Sequence, residues 1–267
     1  MLQKNYYAIF IKVKANPRRE TYGPPVSLES FRIRTRGFFI KERMMRMKRR
    51  GIFFIDGFNL YHSIDAKTNL KKYKWLNLWL LCELLLEANE EITDLYYCTA
   101  YTYWNLQRMQ RHQSYVELNE FHGCKTILGK FQEKSRKSRV LCNHPCQQRQ
   151  IGPFCEKSYI THEEKMTDVN LAVGIPKACI NNSCDAVYLL SGDNDLVPAL
   201  ETVKELYPNI RIRVRLPINA KAKKLMSVCN KNGFKYMRIK ESHLKSAQFP
   251  NPIIVKGKTF QKPNHWV

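Results

Sequence analysis

The sequence predicts an α/β domain in which helices cover both faces of a parallel sheet. Two continuous apolar runs, at residues 52–55 and 186–190, are typical of strands buried on both sides. Strand-like and helix-like segments alternate from residue 51 to residue 239, as expected of parallel strands joined by crossover helices. An acidic turn follows each of the two apolar runs, at the edge where open α/β sheets bind their ligands.

Each element follows from its own periodicity. Apolar and aromatic runs predict the strands, and apolar residues at spacings of three and four predict the helices. The predicted strands are 51–55, 92–100, 125–131, 186–190, 210–216 and 234–239. The predicted helices are 60–64, 75–88, 104–122, 162–180, 195–206 and 221–232. Gly174 and Pro176 should end or kink the fourth helix, because proline cannot donate the helical hydrogen bond.

These boundaries divide the chain of 267 residues into one domain and two extensions. The domain spans residues 48–240 and includes a basic, cysteine-containing insertion at 132–160. The C-terminal tail, residues 241–267, contains Pro250, Pro252 and Pro263 and is expected to be irregular.

The N-terminal extension, residues 1–47, is basic and has no clear helical or strand period. The first 50 residues contain 14 Lys or Arg and 3 Glu, which accounts for half of the net charge of +22. Three interpretations stay open: a disordered arm that helps to bind nucleic acid, a mitochondrial transit peptide, and a segment that is not native. The last is preferred because translation from Met47 would reach the first strand almost at once.

The composition limits the partners and the compartment. A net charge of +22 favours a polyanion, with RNA or DNA ahead of an anionic membrane surface. The nine cysteines are an odd number and follow no signal peptide, which predicts reduced thiols and a cytoplasmic protein. The apolar patch at residues 6–11 is too short to span a membrane. The sequence does not indicate an oligomeric state.

Polar side chains with oxygen ligands gather at the predicted strand ends. Asp56 and Asn59 follow the first apolar run, and Asp193 and Asp195 follow the second. Capping of the next helix is the alternative explanation for each pair. Asp168 lies on the apolar stripe of the fourth helix, where a carboxylate is rare unless it is paired or binds a metal. This set predicts a Mg²⁺ or Mn²⁺ site that acts on a phosphate substrate.

Three blocks of the sequence resemble a known family. Residues 54–61 (Phe-Ile-Asp-Gly-Phe-Asn-Leu-Tyr), 163–172 and 190–199 are similar to the signature blocks of NYN-domain proteins, the LabA-like branch of the PIN-like nucleases. The resemblance covers about residues 48–250 with the blocks in the same order, which is more specific than one isolated motif. It implies a three-layer Rossmann-like (PIN-like) fold and metal-dependent ribonuclease activity.

The resemblance also implies roles for the acidic residues. Asp56, Asp168 and Asp193 match the metal ligands of the family. Asp195 would complete the acidic cluster, and Asn59 would position metal, water or phosphate. Attack by water with the 3′ oxygen leaving would give 5′-phosphate and 3′-hydroxyl ends.

The insertion carries two further candidate sites. Cys142, His144, Cys146 and Cys155 have the ligand types of a structural Zn²⁺ site, with free thiols in a loop as the alternative. A basic run beside them would contact RNA phosphates, with a solvated loop as the alternative. The run consists of Lys130, Lys134, Arg136, Lys137 and Arg139.

We therefore expect a metal-dependent endoribonuclease that hydrolyses RNA phosphodiester bonds. The alternative is an RNA-binding or regulatory protein that keeps the fold with little or no turnover. A phosphatase that acts on small phosphoesters is a third class, and the net charge of +22 favours a polymer over it.

Overall fold

The computed structural model describes residues 48–141, 149–151, 154–180 and 183–266, and the fold is built from eleven strands and seven α-helices within them. The strands are β1 Arg49–Asp56, β2 Glu90–Thr99, β3 Cys124–Leu128, β4 Lys130–Leu141, β5 Arg149–Ile151, β6 Phe154–Lys165, β7 Ala186–Leu190, β8 Arg211–Leu216, β9 Lys235–Arg238, β10 Ile253–Val255 and β11 Lys258–Phe260. The helices are α1 Gly57–Asp65, α2 Leu78–Glu83, α3 Leu106–Phe121, α4 Thr167–Cys179, α5 Val197–Leu206, α6 Lys223–Asn232 and α7 Glu241–Ser246, with a 3₁₀ helix at Thr68–Tyr73.

Six strands form one parallel sheet in the order β3-β2-β1-β7-β8-β9. The strand order reverses between β1 and β7, which makes this pair the switch point of the sheet. Ile55 of β1 pairs with Leu190 of β7, so the turns that follow the two strands begin side by side. The crevice at a switch point is where open α/β sheets bind ligands.

Helices cover both faces of this sheet. Successive side chains of a strand point to opposite faces, so Phe53 and Ile55 enter one buried cluster and Ile52 and Phe54 enter the other. Side chains of α1, α2, α3 and α7 complete the first cluster, and side chains of α4, α5 and α6 complete the second. The prediction of a three-layer α/β fold is confirmed.

Two predicted helices begin later than the sequence suggests. The helix expected at 75–88 is only α2, and it begins at Leu78 because Asn77 caps it by accepting the Leu80 N–H on its side-chain Oδ1 at 3.0 Å. The helix expected at 162–180 is α4, which begins at Thr167 after Met166 turns the backbone to a φ of 80°. Thr161 and Glu164 have the spacing of a capping box, which would begin a helix here, but both residues belong to β6.

The helix α4 does not end at its glycine or its proline. It runs through Gly174 and Pro176 as far as Cys179, so these residues do not end the helix, and the alternative of a kink stays a prediction. Gly174 has a packing role, because a Cβ atom at this position would lie 3.0 Å from Cε1 of Phe54 in β1. The glycine therefore allows α4 to lie close against the sheet.

The insertion contains a long β-hairpin. β4 pairs antiparallel with β6 from Lys130 opposite Lys165 to Leu141 opposite Phe154, and β5 pairs with the other edge of β6. Polar and charged side chains on both faces hide the period of two that would identify these strands in the sequence.

The C-terminal tail is regular, whereas the sequence predicts an irregular segment. It contains α7 and a hairpin formed by β10 and β11. Phe249 and Phe260 are buried in the first core cluster, so the tail completes one face of the domain. Residues 1–47 lie outside the described residues, and the interpretations of this extension stay predictions.

Candidate active site

Asp56 stands at the end of β1 and is both a helix cap and a buried carboxylate. Its Oδ1 accepts the Asn59 N–H at 2.9 Å, and its Oδ2 accepts the Ser191 hydroxyl at 2.9 Å. The residue is only 4% exposed. Burial raises the pKa of Asp56 to about 6 against the opposing effect of these two hydrogen bonds, and the carboxylates of Asp168 and Asp193 raise it further.

The turn after β7 is fastened to the turn after β1. Ser191 donates to Asp56 and accepts the Asp193 N–H at 3.0 Å, while the Gly192 N–H donates to Asn59 Oδ1 at 3.0 Å. Space at this junction is short, because a Cβ atom on Gly192 would lie 3.0 Å from the Ala220 Cβ. These contacts hold Asp56 and Asp193 at a common edge of the sheet.

Asp168 reaches the same edge from the first turn of α4. The sequence places it on the stripe that packs against the sheet, but the structure shows an exposed side chain. Thr167, Leu171, Ile175 and Cys179 are the buried residues of α4, and Asp168 is not among them. Desolvation raises the pKa of Asp168, and the nearby carboxylates of Asp193, Glu164 and Asp195 raise it further.

These side chains line one cleft with a volume of about 360 Å³. Four of the five predicted active-site residues lie in its wall, namely Asp56, Asn59, Asp168 and Asp193. Asp195 does not line the cleft; it is exposed, and its N–H donates to Asp193 Oδ1 at 3.0 Å. Asp195 therefore supports the turn and influences Asp168 through its charge.

Glu164, which the sequence ranks below Asp168, and His62, which no sequence motif indicates, also line the cleft. The Glu164 carboxylate accepts the Thr167 N–H at 3.0 Å and so caps α4 from the end of β6. His62 lies three residues after Asn59 on α1, which places both on the cleft side of that helix. The helical spacing from Asn59 was the available signal for His62.

The chemistry of the cleft suits a hard cation. Carboxylate and amide oxygens line it, and none of its described lining residues is a Lys or an Arg. Burial, and then the charge of the neighbouring carboxylates, raise the pKa values of Asp56 and Asp168, so positive charge in the cleft would favour their ionised forms. In the described part of the chain, however, no group of three His, Cys, Asp or Glu residues is already arranged to hold an ion. The donor types fit a divalent metal, and the side chains would have to close around it.

An aromatic row leads from the surface to the cleft. The Trp104 ring stacks on His162 with centroids 3.6 Å apart, and Phe131 contacts Trp104 edge-on at 4.8 Å. Phe131 also contacts Phe58 at 5.6 Å, and Phe58 lies in the cleft wall. Trp104 is 42% exposed and Tyr103 beside it is 51% exposed. The row therefore offers exposed rings that are continuous with the acidic site.

The predicted basic run is divided between two faces of the hairpin. Cross-strand partners share a face, so Lys130, Lys134 and Arg136 lie on one face, and Lys137 and Arg139 lie on the other. We name the first the lysine face and the second the aromatic face, because Phe131 and His162 belong to the second.

Ion pairs engage several of these cations. Lys134 approaches Glu163 at 2.7 Å and Arg136 pairs with the same residue, while Lys137 approaches Glu156 at 3.2 Å. The hydrogen bond from Lys134 and those from its neighbours lower the pKa of Glu163 to about 2. The run is therefore less free to bind phosphate than the sequence suggests.

The zinc hypothesis falls mainly on residues that the structure does not describe. Cys142, His144 and Cys146 lie outside the described residues, and Cys155 is buried in β6. The hypothesis stays a prediction.

A parallel sheet with a carboxylate-lined cleft at its switch point defines a Rossmann-like domain with an acidic site. The family comparison is more specific. Residues 52–234 match the model of the NYN domain, and the chain belongs to the NYN domain family, part of the PIN-like nuclease superfamily. Proteins of this superfamily act on nucleic acids and generally use divalent metals.

The chain is also similar to a protein from Pseudomonas putida (strain DSM 28022 / S16), 6-hydroxy-3-succinoylpyridine 3-monooxygenase HspA. The two are 24% identical over 238 residues, which cover 80% of this chain and 74% of that protein. No solved structure matches the chain significantly. Among the described residues, no helix combines the length and the apolar character needed to cross a membrane.

Proposed function

We propose that this protein is a metal-dependent endoribonuclease that hydrolyses RNA phosphodiester bonds in the acidic cleft. The observation that carries the proposal is the presence of Asp56, Asp168 and Asp193 in one cleft whose described lining residues include no Lys or Arg. Membership of the NYN family supplies the class of substrate, and the net charge of +22 suits a polyanion.

Asp168 and Asp193, with Asp56 behind them, would hold Mg²⁺ or Mn²⁺. When bound, the ion would supply positive charge that orients the phosphodiester, assists a water nucleophile and offsets charge in the transition state. The chain itself fixes the donors, because Ser191 holds Asp56 and the turn amide of Asp193. Asn59 Oδ1 is engaged by the Gly192 N–H, so the group that Asn59 can offer to a phosphate oxygen is its Nδ2 amide.

The aromatic row would bind the single-stranded part of the RNA. Bases stack on exposed rings without strong sequence preference, and Trp104 and Tyr103 are exposed beside the cleft. Lys137 and Arg139 share the aromatic face with these contacts and would meet the phosphates of the same strand. Lys130, Lys134 and Arg136, on the lysine face, would contact RNA that passes the other side of the hairpin.

The test is cleavage of end-labelled single-stranded and hairpin RNA by the full chain with Mn²⁺, Mg²⁺ or EDTA. Asp193→Asn is compared in parallel. Cleavage that needs metal and is lost in Asp193→Asn supports the proposal, and 5′-phosphate and 3′-hydroxyl products support attack by water. Products with 2′,3′-cyclic phosphate would contradict this mechanism.

Binding without cleavage would favour the alternative of an RNA-binding or regulatory protein. In that case RNA affinity should fall steeply with salt, because binding releases counterions. Turnover of small phosphoesters that is insensitive to salt would favour the phosphatase class instead. The cytoplasmic location and the LabA-like branch belong to the same proposal.

The similarity to HspA provides a second candidate, which is oxidation of a small aromatic compound. The observation that favours it is the extent of the match, 80% of this chain, although the identity is 24%. Oxygen consumption by the full chain with a hydroxypyridine and a reduced nicotinamide would support this candidate. If oxygen consumption is the same with and without the protein, this candidate is excluded.

A further inference from the structure

A second cavity lies beside the acidic cleft and shares the wall residue Phe58 with it. It has a volume of about 120 Å³ and is enclosed by side chains of α1, β2, α3 and the C-terminal segment. Aromatic rings form much of its lining: Tyr61, Tyr97, Tyr115 and Trp266. A cavity of about 150 Å³ binds benzene in a protein core, so a cavity of about 120 Å³ can take at most one six-membered ring and has no room for a bicyclic one.

The cavity is positively charged. Lys74, Arg108 and Arg111 line it, and none of its described lining residues is an Asp or a Glu. Lys74 is paired with Asp65, whereas no ion pair engages Arg108 or Arg111 in the described part of the chain. Guanidinium groups without a partner beside a concave site favour an anionic ligand.

Thr102 gives independent support for a ligand, because its buried hydroxyl is left without a partner by the described residues. Thr102 lines the cavity and is only 9% exposed, yet its Oγ1 has no hydrogen-bond partner in the part of the chain that the structure describes. A buried hydroxyl without a partner is unfavourable, and a ligand with a polar ring atom would satisfy it. A void that arose only from imperfect apolar packing would not be expected to have an unsatisfied hydroxyl in its wall.

Burial and positive charge lower the pKa values of the two histidines that line the cavity. Burial and then Arg108 lower the pKa of His112 to about 4, so its ring is neutral at physiological pH. Burial, followed by Arg111 and Lys74, lowers the pKa of His265. The charge of the cavity therefore resides on the arginines and the lysine.

We infer that this cavity binds a single heteroaromatic ring that carries an anionic group, and that its ligand is a pyrimidine nucleotide of the RNA substrate. The ring would lie among the aromatic side chains, a polar ring atom would meet Thr102, and the phosphate would meet Arg108 and Arg111. Since Phe58 separates the cavity from the cleft, the neighbouring phosphate would enter the acidic site. The identity of the ligand rests on the proposed ribonuclease function, while the existence of the site does not.

The experiment measures binding of UMP, AMP and ribose 5-phosphate to the full chain by calorimetry, in EDTA and at low salt. We expect UMP to bind about tenfold more tightly than AMP, because the cavity has room for one ring, and more tightly than ribose 5-phosphate. Arg111→Gln should weaken UMP binding by about tenfold. Thr102→Val keeps the shape and should weaken it by about threefold.

Two controls separate this site from the proposed activity. Arg211→Gln removes an exposed cation at the start of β8, at the opposite end of the sheet, and should leave UMP binding unchanged. Asp193→Asn should abolish RNA cleavage and still bind UMP. RNA cleavage therefore tests the nuclease proposal, and UMP binding tests the cavity, independently of each other.

Equal affinity for UMP, AMP and ribose 5-phosphate, or no effect of Arg111→Gln, would overturn the inference. Tighter binding of a free aromatic acid such as orotate than of UMP would assign the cavity to a small molecule and overturn its assignment to RNA. Cleavage that prefers a pyrimidine beside the cut bond, and loses this preference in Thr102→Val, would support it.

Discussion

Replacing Asp56 by asparagine should stabilise the metal-free protein while it abolishes activity. The Asp56 carboxyl is 4% exposed, and its pKa rises from the ordinary value of 3.8 to about 6. The unfolded chain therefore loses the proton at lower pH than the folded protein does. A carboxyl that is forced to ionise while buried opposes folding at neutral pH.

The size of the effect follows from the pKa. A rise from 3.8 to about 6 corresponds to about 3 kcal/mol at neutral pH. Asp56→Asn keeps the cap on the Asn59 N–H but loses the acceptor for the Ser191 hydroxyl, which costs about 1 kcal/mol. The net gain is about 2 kcal/mol, or a rise in Tm of roughly 4–8 °C for a domain of this size.

The sign of the pH dependence is fixed by the direction of the shift. Because the folded protein holds this proton more tightly, the contribution of Asp56 to stability is greatest below about pH 4 and is lost as the pH rises through about 6. The gain from Asp56→Asn should therefore be large at pH 7.5 and small at pH 4.

The assay is thermal unfolding in EDTA, followed by circular dichroism, at both pH values. Asp195→Asn is the matched control, since this carboxylate is exposed and should change Tm little at either pH. Adding Mn²⁺ should raise the Tm of the wild type more than that of Asp56→Asn. A variant that is less stable than the wild type at pH 7.5, or equally stabilised at both pH values, would show that burial of Asp56 does not oppose folding.

Three other substitutions test separate parts of the structure. Asp193→Asn should lower metal-dependent cleavage by about a hundredfold or more, whereas Asp195→Asn, outside the cleft wall, should lower it by about tenfold or less. If the rings of the aromatic row bind bases, Trp104→Ala should weaken single-stranded RNA binding in filter assays by about tenfold. Tyr159→Ala, which removes an exposed ring from the lysine face, should change this binding little. Asn119→Ala should lower the free energy of unfolding in urea by roughly 2–4 kcal/mol, because its buried side chain makes three hydrogen bonds; a loss under about 1 kcal/mol would contradict this.

The switch point could be predicted because two short stretches of sequence are enough to identify its strands and the turns that follow them. β1 and β7 are buried on both sides, so their apolar runs are uninterrupted and the polar turns after them are easy to locate. Parallel strands then bring the two turns together without any knowledge of the loops between them. Asp56, Asn59 and Asp193 were found in this way, and all three line the cleft.

The remaining errors arise where distance along the chain does not indicate direction in space. Asp195 is two residues from Asp193 but does not line the cleft, although its charge still acts on Asp168, so its part in the acidic cluster stays a prediction. Asp168 shares the helix face of Leu171 and Ile175, but it lies in the first turn of α4 and is exposed, because helical spacing identifies a face and not the point along it where burial begins. The hairpin escaped detection because strands exposed on both faces carry no hydrophobic alternation.

Capping and metal binding look like competing explanations of Asp56 in the sequence, but the contacts that cap α1 are also those that would prepare this carboxylate for the proposed metal. Burial alone would push the pKa of this carboxyl higher than about 6, towards a neutral acid that holds a cation poorly at physiological pH. The Asn59 N–H and the Ser191 hydroxyl oppose that rise by donating to the charged form. The helix cap therefore keeps a buried carboxylate ionisable, and Ser191 extends the effect by holding the turn of Asp193 in place. A cap of this kind is part of the site.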